Sequence, residues 1–393
     1  MALDVPAVQH ALRDADLDGW LLYDFHGSNP IAVRLAGLAG GQHMMTRRWY
    51  YLIPAQGPPV GLVHAIERGT LDGLPGERLV YAGRAELDAG LTQLLSGARR
   101  IAMEYSPLCA IPYVSRVDAG TVEMIRARGV EIVSSGDLIQ RFEARWTSAQ
   151  LATHHAASES LHRIKDRAFG AAGDAVRLGR ALSEYDLQQQ MVRWFAEEEL
   201  VSDSAPVVAV AGNAGNPHYL PTSAQSRPIV ADQILLLDLW GKTRTTEAVF
   251  ADITWVGVTA SRAPDEAVRA FGAITAARDA AVALVVEAAT HDRDLRGWEV
   301  DRAARDVLER EGYTDRILHR TGHSLGEDVH GNGVHMDDYE THDDRRLLPG
   351  TGFTIEPGLY FETFGVRTEI NVYRGEHDAT VTGPRQDAIV ALL

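Results

Sequence analysis

The chain has 393 residues, of which 45% are hydrophobic and 23% are charged, and its formal net charge is −16. This length and composition are ordinary for a globular protein with two or three domains. The negative charge disfavours nucleic acid and anionic membrane as partners, because both are recognised through basic patches. The single cysteine, Cys109, excludes an internal disulfide framework and a cysteine-based zinc site.

The N-terminal segment, MALDVPAVQHALRDADLDGW, lacks the basic region and apolar core of a secretory signal. Its pattern predicts a short amphipathic helix. The most apolar windows, such as residues 280–289, are far shorter than the roughly 20 residues that span a bilayer. We therefore expect a cytoplasmic protein.

Short apolar runs alternate with helical or polar segments up to about residue 145. The runs that predict strands are GWLLYD at 19–24, WYYLIP at 49–54, RRIAMEY at 99–105 and GVEIVSS at 129–135. This alternation predicts an α/β N-terminal domain over residues 1–145.

Helix-forming sequence follows Trp146 for more than thirty residues without a proline. Further helices are predicted at 183–200, 264–288 and 298–313, with hairpin-like strands between and after them. In the last helix one buried stripe is predicted at Val300, Ala303, Ala304, Val307 and Leu308. Residues 150–393 are therefore expected to form a second, α+β domain.

A hairpin is predicted at residues 231–258, where two β-rich runs flank the polar turn KTRTTE. If the turn centres near Thr245, Asp238 and Asp252 lie directly opposite each other and point to the same face. Two carboxylates facing each other within apolar strands are unfavourable without a positive charge between them. The pair therefore predicts a cation.

A second hairpin, around a turn near residues 362–365, repeats this arrangement. It places Glu356 and Glu369 roughly opposite each other. Arg367 shares a strand face with Glu369, because side chains alternate with a period of two.

The segment HRTGHSLGEDVHG at 319–331 contains His319, His323 and His330. Imidazole serves both as a metal ligand and as an acid or base, so the segment alone does not decide its role. Four strand-borne carboxylates with one imidazole and no thiolate suit a pair of Mn²⁺, Co²⁺ or Fe²⁺ ions. Taken singly, each of these residues also fits an ordinary structural role.

The residues from about 150 to 393 resemble the pita-bread metallopeptidases, which include methionine aminopeptidase, aminopeptidase P and prolidase. The motifs that carry the resemblance are NPHYLPT at 216–222, LLLDLW at 235–240, ADITW at 251–255, HRTGHSLGEDVHG, TIEPGLYF at 354–361 and GVRTEINV at 365–372. The preceding domain resembles the creatinase-type N-terminal domain of the proline-directed members. The resemblance thus covers essentially the whole chain.

The resemblance implies a site that holds two divalent metal ions, with Mn²⁺ expected and Co²⁺, Fe²⁺ or Zn²⁺ as alternatives. Asp238 would bind one ion, Asp252 and Glu369 would bridge both, and His323 and Glu356 would bind the other. Glu356 would also transfer protons during hydrolysis of a peptide bond.

Other site residues are implied by the same matches. His218 and His330 correspond to histidines that contact the substrate carbonyl, whereas His319 corresponds to no ligand and is expected to be structural. Arg367 is expected to orient Glu369 or substrate groups, or to act only as an ion-pair partner. Leu239 and Trp240 depart from the family pattern, because small residues are common after the first aspartate.

The expected substrate is a small peptide with proline in second position, and we predict an Xaa-Pro dipeptidase. A dipeptidase must hold the free carboxylate of the proline with a basic group. His342, Arg345 and Arg346 are candidates for that group, although a solvated basic turn is an equal alternative. Aminopeptidase P and a non-peptidase creatinase-like hydrolase or lyase are the competing functions, and the family suggests a homodimer.

Overall fold

The computed structural model of the chain describes residues 3–40 and 44–393. It contains two compact units, Met1–Glu143 and Ala144–Leu393. The first two residues of the predicted N-terminal helix lie outside the described residues, and that helix begins at Val5. None of the described helices is long and apolar enough to cross a bilayer.

The first unit is a twisted mixed sheet covered by helices, in agreement with the predicted α/β class. Its strands are β1 Gly19–Asp24, β2 Trp49–Pro54, β3 Val60–His64, β4 Glu77–Tyr81, β5 Arg100–Met103 and β6 Glu131–Ser134, in the order β4-β3-β2-β1-β5-β6. Its helices are α1 Val5–Asp14, α2 Pro30–Leu35, α3 Arg84–Leu94, α4 Ala119–Arg126 and α5 Gly136–Ile139. The predicted runs GWLLYD and WYYLIP coincide with β1 and β2. Both strands are almost entirely buried, which explains their continuous apolar sequence.

The second unit contains four long helices. They are α6 Ser148–Arg177, α7 Glu184–Glu197, α8 Asp265–Thr290 and α9 Gly297–Arg310. Helix α6 begins with a capping box in which the Thr147 hydroxyl and the Gln150 side chain satisfy each other's backbone N–H groups. These helices correspond to the four helical segments that the sequence predicts.

The predicted buried stripe of α9 is partly wrong. Val300, Ala304 and Leu308 are buried, but Ala303 and Val307 are only half-buried. Gly297 is also buried, and two further buried positions belong to Asp301 and Arg305, whose side chains form an ion pair at 3.0 Å. An apolar spacing rule cannot identify such positions, because a paired charge can occupy a buried site once its hydrogen bonds are satisfied.

The strands of the second unit form three sheets. They are β7 Leu200–Val201, β8 Val207–Val210, β9 Ile234–Thr243, β10 Ala251–Val258, β11 Ser324–Leu325, β12 Thr351–Ile355, β13 Gly358–Tyr360, β14 Gly365–Arg367, β15 Ile370–Arg374, β16 Ala379–Val381 and β17 Val390–Ala391. One sheet has the order β17-β10-β9-β7 with β8 also on β9, the second has the order β11-β12-β15-β16, and β13 pairs with β14.

Strand β10 connects the first of these sheets to the second. The Asp252 backbone N–H donates to the Asn371 side chain at 3.0 Å. The Glu369 backbone N–H donates to the Thr254 carbonyl oxygen at 3.2 Å. These bonds bring the two predicted carboxylate hairpins together in space.

Candidate metal centre

One cleft of about 460 Å³ in the second unit contains the five predicted metal ligands. They come from four segments: β9, β10, the loop before β11, and the hairpin that follows β12. The ligands are Asp238, Asp252, His323, Glu356 and Glu369. His218, His330 and Arg367 line the same cleft.

The first carboxylate pair is diagonal, so the prediction that Asp238 and Asp252 are directly opposed is wrong. In the β9–β10 ladder Asp238 pairs with Thr254, and Asp252 pairs with Trp240. The turn therefore centres one residue later than predicted, and β10 begins at Ala251. A shift of two positions in pairing leaves both carboxylates on one face, because the side-chain period is also two.

The second carboxylate pair lies where a hairpin is locally opened. The β12–β15 ladder ends at Ile355 opposite Ile370, and the β13–β14 pairing keeps the same register beyond it. Glu356 and Glu369 fall in the gap. Their backbone N–H groups donate instead to Thr321, at 2.7 Å, and to Thr254, at 3.2 Å. Neighbouring segments thus satisfy the backbone N–H groups of both residues, and both residues line the cleft.

His323 is oriented by its own backbone and by the next residue. Its N–H donates to the Thr354 hydroxyl at 2.9 Å, and its Nδ1 lies 3.2 Å from the Ser324 carbonyl oxygen. A carbonyl oxygen only accepts, so Nδ1 carries the proton, and burial lowers the pKa of His323. Its Nε2 therefore presents a lone pair toward the carboxylates.

The lone pair on His323 Nε2 faces carboxylate oxygens, which also carry lone pairs. His323 Nε2 lies 3.5 Å from an oxygen of Asp252 and 3.4 Å from an oxygen of Glu356. Asp252 Oδ1 and Glu369 Oε1 are buried and have no hydrogen-bond partner within the described part of the chain. Buried polar atoms without a partner are costly and unusual in a folded protein.

The pKa values of the buried carboxylates also indicate a site for a positive charge. Burial, with the charges of Asp238 and Glu356, raises the pKa of Asp252 well above its usual range. Burial, with the charge of Asp252, does the same to the pKa of Glu369. Asp252, His323 and Glu369 offer ligand atoms that all lie within 4.8 Å of one another. A divalent cation bound there would satisfy the lone pairs and offset the charges, so the residues fit a metal site.

Arg367 is a central hydrogen-bond donor of the site, and it does not contact Glu369 directly. Its guanidinium donates to a carboxylate oxygen of Asp238, to the Tyr360 hydroxyl at 3.1 Å and to the Thr254 hydroxyl at 2.9 Å. The Thr254 hydroxyl in turn donates to Glu369 Oε2 at 2.7 Å. Arg367 therefore orients Asp238 directly and Glu369 through Thr254.

The histidines occupy different positions. His330 packs its ring edge against His323, with centroids 4.3 Å apart, and burial lowers its pKa to about 3. His218 lines the cleft and is exposed. His319 lies behind the site, where its Nε2 contacts the Tyr360 hydroxyl at 2.6 Å.

The proposed carboxylate-binding residues are not in the cleft of this chain. The Arg345 guanidinium is buried against the Asp343 carboxylate and the Asn332 and Gly333 carbonyl oxygens. His342 is exposed and bonds Asp338 at 2.6 Å. The sequence alone could not show that the hydrogen-bond donors of Arg345 and His342 are already bonded to neighbouring carboxylates and carbonyl oxygens.

Sequence reasoning missed three residues of the site: Thr254, Tyr360 and Asp203. Tyr360 had a usable signal, because the period of two places it on the same face as Glu356. Thr254 stands two positions after Asp252 on the same strand face. Asp203 lies before β8, in a segment with no motif, and the sequence gives no signal for it.

Gly322 is expected to be essential for placing His323. A Cβ at Gly322 would lie 2.0 Å from the Thr354 carbonyl oxygen, so Gly322→Ala must displace one of the two segments. We expect at least about a tenfold loss of bound metal, a penalty typical of disturbed ligand orientation, measured by elemental analysis. Gly326→Ala is the matched control, since the nearest atom to its added Cβ would be 3.8 Å away. Equal metal content in both variants would contradict this role.

Comparisons with known proteins agree with this geometry. The model of metallopeptidase family M24 matches residues 157–382. An Xaa-Pro dipeptidase from Lactobacillus helveticus is 28% identical over 207 residues, which cover 52% of this chain and 51% of that protein. The chain spans about half the length of the curated relatives that it matches.

Solved structures resemble the chain over nearly its full length. Dipeptidase PepE from Mycobacterium ulcerans has a TM-score of 0.72 at 20% identity, with complete coverage of both chains. An X-prolyl aminopeptidase from Caenorhabditis elegans, described as a cytosolic enzyme with a di-nuclear active site, has a TM-score of 0.67 at 15% identity, covering 99% of this chain and 65% of that one. These likenesses confirm the predicted fold, an α/β N-terminal domain followed by an α+β pita-bread domain.

Proposed function

The chain belongs to metallopeptidase family M24, and from this premise we propose that it is an Xaa-Pro dipeptidase that uses two divalent metal ions. The observation that carries the proposal is the convergence of four carboxylates and the His323 imidazole, with two buried carboxylate oxygens that have no hydrogen-bond partner among the described residues. An oxygen-rich set with one imidazole suits Mn²⁺, and it also admits Co²⁺, Fe²⁺ or Zn²⁺.

The ligand roles are those that the resemblance to the family implies. Asp252 and Glu369, which carry buried oxygens without a hydrogen-bond partner among the described residues, would be shared by both ions. Asp238 would hold one ion, and His323 with Glu356 would hold the other. When bound, such ions lower the pKa of water and polarise a carbonyl group.

Glu356 is the residue we assign to proton transfer. Glu356 is half-buried, whereas Glu369 is fully buried, so Glu356 reaches the open part of the cleft. Its Oε1 accepts a hydrogen bond from the Thr354 hydroxyl at 3.1 Å, which leaves Oε2 for an attacking water. Glu356 would accept that water's proton and deliver it to the departing proline nitrogen, which leaves as a secondary amine.

His218 and His330 would bind the carbonyl oxygen of the scissile bond. Burial lowers the pKa of His330 to about 3, so its imidazole is neutral at pH 7 and would donate its ring N–H as a hydrogen bond without acting as a general acid. Apolar side chains complete the lining: Val207, Pro217, Leu220 and Val329. Such a wall suits the proline ring, because an Xaa-Pro bond has no N–H to satisfy.

Release of one residue from longer Xaa-Pro peptides, as by aminopeptidase P, is the second candidate. It is favoured because the cleft offers little positive charge to a substrate carboxylate. Among the described residues that line the cleft, Arg367 alone has a guanidinium group, and its nitrogens already bond Asp238, Tyr360 and Thr254. The carboxylate of a dipeptide would then depend on His218, His330 or a second copy of the chain.

Metal removal and substrate length test the proposal together. We expect chelator-stripped protein to be inactive and added Mn²⁺ to restore cleavage of Ala-Pro, measured as release of free proline. Ala-Pro-Ala should be cleaved at least about tenfold more slowly, because it lacks the proline carboxylate that a dipeptide would present to His218, His330 or a second copy of the chain. Preference for Ala-Pro-Ala would establish the aminopeptidase instead.

Absence of cleavage has a separate meaning. If protein shown to hold two metal ions cleaves neither peptide, a creatinase-like hydrolase or lyase acting on a non-peptide substrate replaces the proposal. We also propose that the chain acts in the cytoplasm as a homodimer. Size measurement in solution tests the dimer independently of activity.

A further inference from the structure

Trp240 replaces the small residues expected after the first metal-binding aspartate, and it lines the cleft. It is paired with Asp252 across the β9–β10 ladder and shares a strand face with Asp238. Its indole Nε1 donates to the Asp203 Oδ1 at 2.6 Å. The departure from the family pattern therefore brings a second residue, Asp203, to the cleft.

Asp203 is a carboxylate without a charge partner. Within the described residues the interaction found for its side chain is the hydrogen bond from Trp240. The four metal-binding carboxylates would be offset by two divalent ions, and Arg367 is bound to Asp238. Asp203 is also near enough for its charge to raise the pKa of Asp252. Asp203 is thus the carboxylate of the cleft that is neither assigned to a metal ion nor bonded to Arg367.

Asp203 also lies where the metal-binding cleft meets a second groove. With Ser204 it lines both the metal-binding cleft and a neighbouring groove of about 420 Å³. The groove is largely apolar and includes Val192, Phe195, Leu200 and Pro206. A substrate group that reaches Asp203 from the cleft therefore has both a carboxylate and apolar surface beside it.

We propose that Asp203 and Trp240 form a subsite that binds a positively charged group of the substrate. A carboxylate and the indole of tryptophan both attract ammonium and guanidinium groups. The inference rests on the proposed cleavage of Xaa-Pro peptides and names the substrate feature that this chain selects. The cation comes either from a lysine or arginine side chain in the first position, or from the α-ammonium group that every such substrate carries.

Arg-Pro and citrulline-Pro distinguish these two sources, because citrulline matches arginine in size and lacks its charge. We would measure kcat and KM for both dipeptides with the Mn²⁺-loaded wild-type protein and with Asp203→Asn. If the side chain is the source, wild-type kcat/KM for Arg-Pro exceeds that for citrulline-Pro by at least about fivefold, and the ratio falls to near one in D203N. If the α-ammonium group is the source, D203N raises KM for both dipeptides by a similar factor.

Two further variants separate charge recognition from a purely structural role of Asp203. Asp203→Glu keeps the charge and should retain the wild-type pattern in part. Asp232→Asn removes an exposed carboxylate outside the cleft and should alter neither the ratio nor KM. Loss of general stability would lower the active fraction without changing the substrate ratio.

The outcomes are distinct. Wild-type cleavage of both dipeptides, with the same ratio and the same KM values in D203N, overturns the subsite and leaves the proposed function standing. Failure of the metal-loaded wild type to cleave any Xaa-Pro peptide overturns both. A ratio that falls toward one in 1 M NaCl would further support charge recognition, since salt screens exposed charges.

Discussion

Glu369→Gln is expected to abolish metal-dependent cleavage and, at the same time, to stabilise the metal-free protein. Glutamine keeps the size of the side chain and can still accept the hydrogen bond from the Thr254 hydroxyl. It removes one carboxylate from a buried pair and places an amide donor where Glu369 Oε1 has no hydrogen-bond partner among the described residues. A bridging ligand is lost in the metal-bound state, whereas a repulsion is lost in the metal-free state.

The two effects have different sizes and measurements. We expect kcat/KM to fall by at least about a thousandfold, as for removal of a group that acts directly on the reaction, with metal content followed by elemental analysis. The free energy of unfolding of chelator-treated protein should rise by about 1–3 kcal/mol, the range for relieving a buried unsatisfied polar group. Urea denaturation measures it.

Glu362→Gln is the control for this prediction. Glu362 is exposed at the tip of the same hairpin, so its substitution removes a carboxylate without touching the site. It should change neither activity nor stability appreciably. A Glu369→Gln variant that is destabilised without metal, or that keeps its two ions, would show that Glu369 does not belong to a repulsive metal-binding pair.

The ligand set could be read from the sequence because it depends on short-range periodicity. Asp238 and Asp252 stay on one face even though the pairing is shifted by two positions, since any even shift preserves the face. Glu356 and Glu369 remain opposed because the register of their hairpin continues across the local opening. Errors in the turn therefore did not propagate to the site.

Contacts between distant segments could not be read in this way. Arg345 and Arg367 both look like basic residues near the Glu356 strand, and composition does not separate them. Their partners do. Arg367 bonds Asp238, which is 129 positions away in the chain, whereas Arg345 bonds Asp343 only two positions away. The burial of Asp301 in α9 escaped detection for a similar reason, because its carboxylate accepts from the backbone N–H groups of Thr321 and Asp338, which are 20 and 37 positions away.

These two arginines provide the second large prediction. Arg367→Met and Arg345→Met each remove a buried guanidinium and leave a carboxylate without its partner. Breaking such a pair costs about 3–5 kcal/mol, so both variants should unfold at clearly lower urea concentrations than the wild type. We expect the two losses of stability to be comparable, since Arg345 is 4% exposed and Arg367 is 5% exposed.

Their effects on catalysis should diverge. Arg367→Met releases Asp238 and the Thr254 hydroxyl that orients Glu369, and kcat should fall by at least about a hundredfold. Arg345→Met should leave KM for Ala-Pro within about twofold of the wild type, as judged under conditions where both variants are folded. Arg367→Lys, which keeps the charge but loses the planar fork, should recover stability better than activity.

A large rise in KM for Ala-Pro in Arg345→Met would contradict the structure and restore Arg345 as the group that holds the substrate carboxylate. The structure argues against this result, because the Arg345 guanidinium already bonds the Asp343 carboxylate and two carbonyl oxygens. A charge that is neutralised and buried cannot attract a substrate anion without first breaking those bonds. If dipeptides are nevertheless preferred over tripeptides, the discrimination must come from His218, His330 or a partner copy.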